Sequence, residues 1–293
     1  MVNSLELSGW FKFLHRAVIG MVLVVVFLPF YWLFVMSVTP QRYIAGRAIP
    51  AMIPREPSLI AFAQVLGLAE IEAGTGQRAA MMFSRGLFNS LVVASISTFL
   101  ALVIGVLAAY ALSRLDFPGK NASYVVVLGT RLIAQITVAV PLFSAFRFLG
   151  VLDTYFPLIV TYTSFNMVWV LLIMNNYFDM IDSDMEDAAR VDGCTRFGAF
   201  WRVLLPMARP GIISVMLISF LFCWGEFLYA LLFTSSMSAR TMPVVLSMFL
   251  GQYAIEYRLL AAGLVLGVLP PVLIALLFQR FIITGLTQGG LKG

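Results

Sequence analysis

Long apolar stretches alternate with short polar ones along nearly the whole chain. A helix needs about 20 apolar residues to cross about 30 Å of hydrocarbon. Four stretches reach that length without a charge: Ala17–Val38, Gly86–Ser113, Thr154–Phe178 and Leu259–Gln279. Two more, Asn121–Phe146 and Gly211–Thr234, reach it with one charge each, Arg131 and Glu226. Backbone polar groups in lipid must be satisfied within the segment, so such runs are read as helices. The pattern predicts an all-α, polytopic membrane protein with six transmembrane helices.

The polar segments divide the chain further. A tail over 1–16 precedes the first span, 17–38, and a loop over 39–85 follows it. A core of five helices occupies 86–285, and a tail over 286–293 ends the chain. The loop over 39–85 is rich in Pro, Gly and Arg, and Ser58–Ala69 reads as a short helix capped by Ser58. The segment 235–257, with Pro243 before an apolar run, reads as a second short helix at the membrane surface.

Composition agrees with lipid as the solvent. Hydrophobic residues make up 61% and charged residues 11%, whereas soluble domains carry roughly 25% charged residues. The net charge of +5 comes without a long basic run, which fits lipid headgroups better than nucleic acid. Cys194 and Cys223 are expected at different depths, so no disulfide is assigned. His15 is the lone histidine and there is no Cys/His cluster, so no metal site is expected. The first apolar run lacks a small-residue cleavage site and reads as a retained helix. Six spans put both termini on one side. Ten Lys/Arg fall there against eight opposite, five of them in the long first loop. Long loops count less for orientation, so that side is expected to be cytoplasmic.

One polar island, "EDAARVDGCTRFGAFWRVLLPMARPG" at residues 186–211, interrupts the apolar core, and the cytoplasmic loop that carries it is expected over 179–209. Ser183 is a candidate cap, and Asp184, Glu186 and Asp187 sit at the positive end of the helix that would follow. Ala188 and Ala189 keep one face thin, and Gly193 ends the helix. A second amphipathic stretch carries Phe197, Phe200, Trp201, Leu204 and Leu205, before Pro206 and Pro210 redirect the chain. The expected product is a helix–turn–helix outside the bilayer, attached to a span. From these residues alone, an ordinary solvated loop is an equal alternative.

The spacing Asp187-Ala188-Ala189, three residues, Gly193, nine residues, then Val203-Leu204-Leu205-Pro206 resembles the EAA loop of ABC-importer permeases. Asp187 stands for that pattern's Glu and Val203 for its Ile. "YALSRLDFPGK" (Tyr110–Lys120), "WGEFLYAL" (Trp224–Leu231), "ARTMPVVL" (Ala239–Leu246) and "GLTQGGLKG" (Gly285–Gly293) are similar to the carbohydrate, maltose-permease-like branch. Gly225 stands where Asn is usual. The resemblance spans residues 17 to 293 and implies the type I ABC-importer permease fold. It also implies a cell-membrane location and a non-catalytic subunit. The partners would be a second homologous permease, two ATP-binding subunits and an extracytoplasmic substrate-binding protein. Glu186, Asp187, Ala188, Ala189, Gly193, Leu205 and Pro206 would couple the chain to an ATPase. No phosphate-cradling Gly-rich loop ends in Gly-Lys-Ser/Thr, so ATP and Mg are expected on the partners, with no cofactor in this chain.

Charges at depth need protein or water around them. Glu226 lies about 15 residues, or about 22 Å, into its span. With Trp224 and Asn166, it forms a candidate sugar path; a structural ion pair with Arg131 is the alternative. Arg131 itself reads as structural, Asn175, Asn176 and Tyr177 as interfacial anchors, and Pro270 and Pro271 as a kink. A secondary transporter or channel would more often show repeated halves. A membrane-embedded enzyme would need a His, Asp, Ser or Cys cluster that the sequence lacks.

Overall fold

A computed structural model describes residues 9–44, 52–54, 56–70, 75–250 and 257–289. The outer parts of both predicted tails and the stretches around Pro50 and Gly74 lie outside the described residues. In chain order the helices are α1 (Gly9–Val38), α2 (Gln41–Ile44), α3 (Ile60–Val65), α4 (Thr75–Arg114) and α5 (Lys120–Gly129). Then come α6 (Gln135–Phe148), α7 (Tyr155–Asp179), α8 (Asp184–Val191), α9 (Arg196–Ala199) and α10 (Leu205–Met207). The chain closes with α11 (Arg209–Gly225), α12 (Leu228–Phe233), α13 (Met242–Ser247) and α14 (Tyr257–Gly289). The all-α expectation holds.

Among the described residues, four helices are long and apolar enough to cross a membrane, or six if each bent pair is one span. The third and fifth predicted spans are not continuous helices. α5 and α6 meet at 93°, because Ile133 and Ala134 turn extended just after Arg131. The fifth span halts at Gly225, where Glu226 is extended, and resumes as α12. α14 runs as one helix through Pro270 and Pro271.

The chain forms two compact units. One runs to Phe83 and includes Met248–Val268; the other holds Ser84–Ser247 and the chain from Leu269. In the first, α1 is apolar all round from Ala17 onward and exposes side chains such as Met21, Val24 and Phe27, as lipid permits. The long loop is held by polar contacts. The Tyr31 phenol donates to the Met52 carbonyl at 2.8 Å, Arg42 pairs with Glu56, and Arg258 Nη2 donates to Gln64 Oε1 at 2.8 Å. The predicted short helix is present as α3, but it starts at Ile60 and is capped by Leu59. Ser58 Oγ accepts the Ile60 N–H at 3.3 Å.

The second unit packs α4, α7 and α11 closely. Hydrophobic collapse cannot distinguish a neighbouring helix from a lipid tail, so small residues and close backbones hold such bundles. Gly211 lies against the Tyr177 ring: a Cβ there would stand 2.7 Å from Cδ2. One core cluster, near the broken spans, includes Leu158, Tyr162, Phe220, Trp224, Tyr229 and Phe233. A second, near the polar island, includes Tyr110, Met174, Phe178, Phe200 and Leu204.

Candidate functional site

The polar island forms the expected helix–turn–helix. α8 carries Asp184, Glu186 and Asp187 in its first turn. Its cap differs from expectation: Ser183 is already helical and makes no side-chain cap bond, while Asp182 Oδ1 accepts the Asp184 N–H at 3.1 Å. α8 ends at Gly193, whose φ is +93°. Cys194 N–H bonds the Ala189 carbonyl at 3.0 Å, and Gly193 N–H bonds that of Arg190 at 3.1 Å. This paired closure needs a left-handed residue, which glycine adopts without a Cβ clash.

α9 is capped by Thr195, whose hydroxyl accepts the Gly198 N–H at 3.0 Å. A single π turn over Phe200–Leu204 carries the chain into α10. Pro206 does not end this stretch, because it lies in the first turn of α10, where a missing N–H is harmless. The redirection, 75°, falls at the junction of α10 and α11, where Pro210 opens α11. Phe200 and Leu204 fasten the element: both are buried, and the Phe200 ring lies 4.6 Å from that of Tyr110. Leu205 is half-buried and packs against the same cluster, whereas Trp201 is largely exposed.

The acidic pair separates. Asp187 is exposed and bonded to Arg190 at 2.7 Å. Glu186, expected to offer its charge outward, is buried and pairs with Arg114 Nε at 2.6 Å. Its position on the inner face of α8 decides this, and Arg114 at the end of α4 meets it there. Ala188 is exposed and Ala189 half-buried. Around them Met185, Val191 (87% exposed) and Phe197 present apolar side chains on an otherwise polar element.

At the broken spans, a cavity of about 410 Å³ is lined by Arg131, Gln135, Asn166, Trp169 and Glu226 among others. Glu226 Oε1 accepts the Tyr229 N–H at 2.9 Å, and Oε2 accepts the Ala230 N–H at 3.2 Å and the Tyr162 phenol at 2.6 Å. The carboxylate thus caps α12, supplying acceptors to N–H groups that have no partner within their helix. The Arg131 guanidinium lies 4.6 Å over the Trp169 ring and donates to the Phe165 carbonyl. Both charges line the cavity, but among the described residues they form no ion pair with each other.

Of the three path residues expected, Glu226 and Asn166 line the cavity. Asn166 Nδ2 donates to the Tyr162 carbonyl at 3.0 Å and to Cys223 Sγ at 3.2 Å. Trp224 is 7% exposed and stacks on Phe220 in the core. The lining residues Tyr162 and Trp169 are not evident as site residues in the sequence. Their one signal there is helical spacing: Tyr162, Asn166 and Trp169 lie four and three residues apart on α7.

Residues 101–288 match the family described as "Binding-protein-dependent transport system inner membrane component". The chain is 38% identical to the sulfoquinovosyl glycerol transport system permease of Agrobacterium fabrum, over 71% of this chain and 73% of that one. It is 34% identical to the trehalose transport system permease of Mycobacterium tuberculosis, over 91% and 92%. With the trehalose/maltose transport system permease of Thermococcus litoralis it shares 32%, over 94% and 96%. Among solved structures, a bacterial ABC transporter involved in the import of the acidic polysaccharide alginate shares the fold. The TM-score is 0.75 at 20% identity, covering 92% of this chain and 95% of that one. The chain belongs to the inner-membrane permease components of binding-protein-dependent transport systems, and it is a multi-pass membrane protein.

Proposed function

We propose that this chain is the permease subunit of an ATP-driven importer for a sugar or sugar derivative. In that assembly it pairs with a second homologous permease and two ATP-binding subunits, and an extracytoplasmic binding protein delivers substrate. The likeness to permeases for trehalose, maltose and sulfoquinovosyl glycerol supports the substrate class. The fold shared with the alginate ABC transporter supports the assembly. ATP and Mg belong to the partner subunits. Both termini face the cytoplasm, which puts α8 and α9 there too.

One observation carries the coupling role: α8 is a short acidic helix, closed by Gly193, and it exposes Met185 and Val191, with Phe197 of α9 beside them, outside the apolar spans. Exposed apolar residues beside a thin face and an outward carboxylate suit docking on another protein. Asp187, Ala188, Ala189 and Gly193 form that face, while Leu205 and Pro206 tie it to α11. Nucleotide-driven closure of the ATPases would move α8 and switch the spans between inward and outward access. The cavity with Glu226 and Asn166 is the proposed sugar path, since polar groups beside aromatic faces suit a sugar.

The test is Ala188→Arg and Gly193→Asp in the reconstituted importer. Membrane insertion should persist while uptake and binding-protein-stimulated ATP hydrolysis fall together. Normal uptake in both variants would refute the docking role.

A further inference from the structure

Arg114 closes α4 and grips two elements at once. Its Nε donates to Glu186 of α8 at 2.6 Å, and its Nη2 donates to the Ile181 carbonyl, between α7 and α8, at 2.5 Å. Side-chain exposure is 14% for Arg114 and 9% for Glu186. Next to it, the Ser113 hydroxyl bonds Asp179 at the end of α7. The short link Met180–Ser183 is thus braced from outside by the end of α4.

A second point on α4, at Asn89 and Ser90, is held as firmly. Asn89 and Ser90 are buried. Asn89 Nδ2 donates to the carbonyls of Arg240 at 2.8 Å and Met237 at 3.2 Å. Asn89 Oδ1 accepts the Tyr155 phenol at 2.6 Å, and Ser90 Oγ accepts the Met242 N–H at 2.7 Å. Every polar atom of the Asn89 side chain therefore faces the segment before α13 or the start of α7. Between the clamps α4 has no proline, and it packs through the small buried residues Ala94, Ala101 and Ala109. Asn89 to Arg114 is about 37 Å at 1.5 Å per residue. The third and fifth spans, by contrast, are both broken.

We propose that Arg114 is a positioning residue that makes α8 and α4 one mechanical body, so that a displacement of α8 is relayed along α4 to the Met237–Met242 segment held by Asn89 and Ser90. Energetic coupling over such distances travels through rigid elements and bonded side chains, and α4 with its two clamps supplies both. A buried pair suits the task, because losing one partner strands a charge and the pair resists sliding. This relay rests on the reading that α8 docks on an ATPase subunit.

The experiment uses the complete importer in proteoliposomes and reads sugar taken up per ATP hydrolysed. R114Q, R114E, E186R and the double exchange R114E/E186R are compared after checking that each complex assembles. The ratio should fall about tenfold in R114Q and in each single reversal, and return to within about threefold in the double exchange. An N89A variant should lower the same ratio from the second clamp. An unchanged ratio in R114Q overturns the proposal, as does a double exchange no better than its parents. If R114E fails to assemble, the R114Q ratio decides. Cross-linking from V191C to the ATPase subunit is run in parallel. Its absence would sink the docking reading, whereas its presence with a normal R114Q ratio would sink only the relay.

Discussion

The phenol of Tyr162 donates to the carboxylate of Glu226 at 2.6 Å, tying α7 to the break between α11 and α12. The same carboxylate accepts two N–H groups of α12, so Glu226 is both a lining residue and a helix cap. Glu226→Gln retains one oxygen for capping, and Glu226→Ala retains none. The melting temperature of the detergent-purified protein should fall in the order wild type, Gln, Ala. The Ala loss should be on the order of 1–3 kcal/mol, as for other bonds to a charged group. Uptake should fall in Glu226→Gln beyond any loss of fold, and undiminished uptake would retire the path role.

Gly211 has no room for a side chain, because the Tyr177 ring occupies the place of its Cβ. Gly211→Ala should destabilise by roughly 1–3 kcal/mol through overpacking. Gly225 has nothing within 4 Å of its Cβ position and no positive φ. Gly225→Ala should therefore be neutral or slightly stabilising, since alanine is the better helix former. Parallel thermal melts check the contrast.

Gly193 is constrained by conformation and not by space, as nothing lies within 4 Å of its Cβ position. At φ +93° a β-branched residue should cost more than Asn, which tolerates the left-handed region. Strain of roughly 1–3 kcal/mol is expected for Gly193→Val. Uptake should rank Gly, Asn, Val, and equal uptake in all three would show that the turn is unimportant.

Asp153 clasps the loop after α12. It has φ +62°, and its Oδ1 accepts the N–H groups of Ser235 at 2.8 Å and Ser236 at 2.9 Å. Burial pushes this carboxyl up, but the bonds from Ser236, Ser235 and Ser238 outweigh it and hold the group below its ordinary 3.8. A lowered native value means that the clasp contributes fully above the ordinary carboxylate range and weakens as pH falls through the native value. Amide exchange at Ser235 and Ser236 should be flat near neutrality and should rise in strong acid after correction for intrinsic rates. Asp153→Ala should abolish that protection at every pH.

The all-α class and the island's helix–turn–helix were legible in the chain, because each follows from local physics. Twenty apolar residues must be helical in lipid, and a glycine after an acidic, alanine-rich turn ends a helix. The three-residue and four-residue spacings on α7 also place Asn166 on one face with Tyr162 and Trp169. Tertiary structure decided what each charge meets. Glu186 and Asp187 are adjacent and chemically alike, yet one faces Arg114 and the other faces outward. In the sequence Glu226 reads as a charge within a continuous span, but it caps a second helix after a break. Trp224 stands two residues from Glu226 along the chain, but it is buried in the core, stacked on Phe220 one turn back on α11. Arg114 is 72 positions from Glu186 and Tyr162 is 64 from Glu226, so which helix comes alongside, and not the local sequence, sets those two partners.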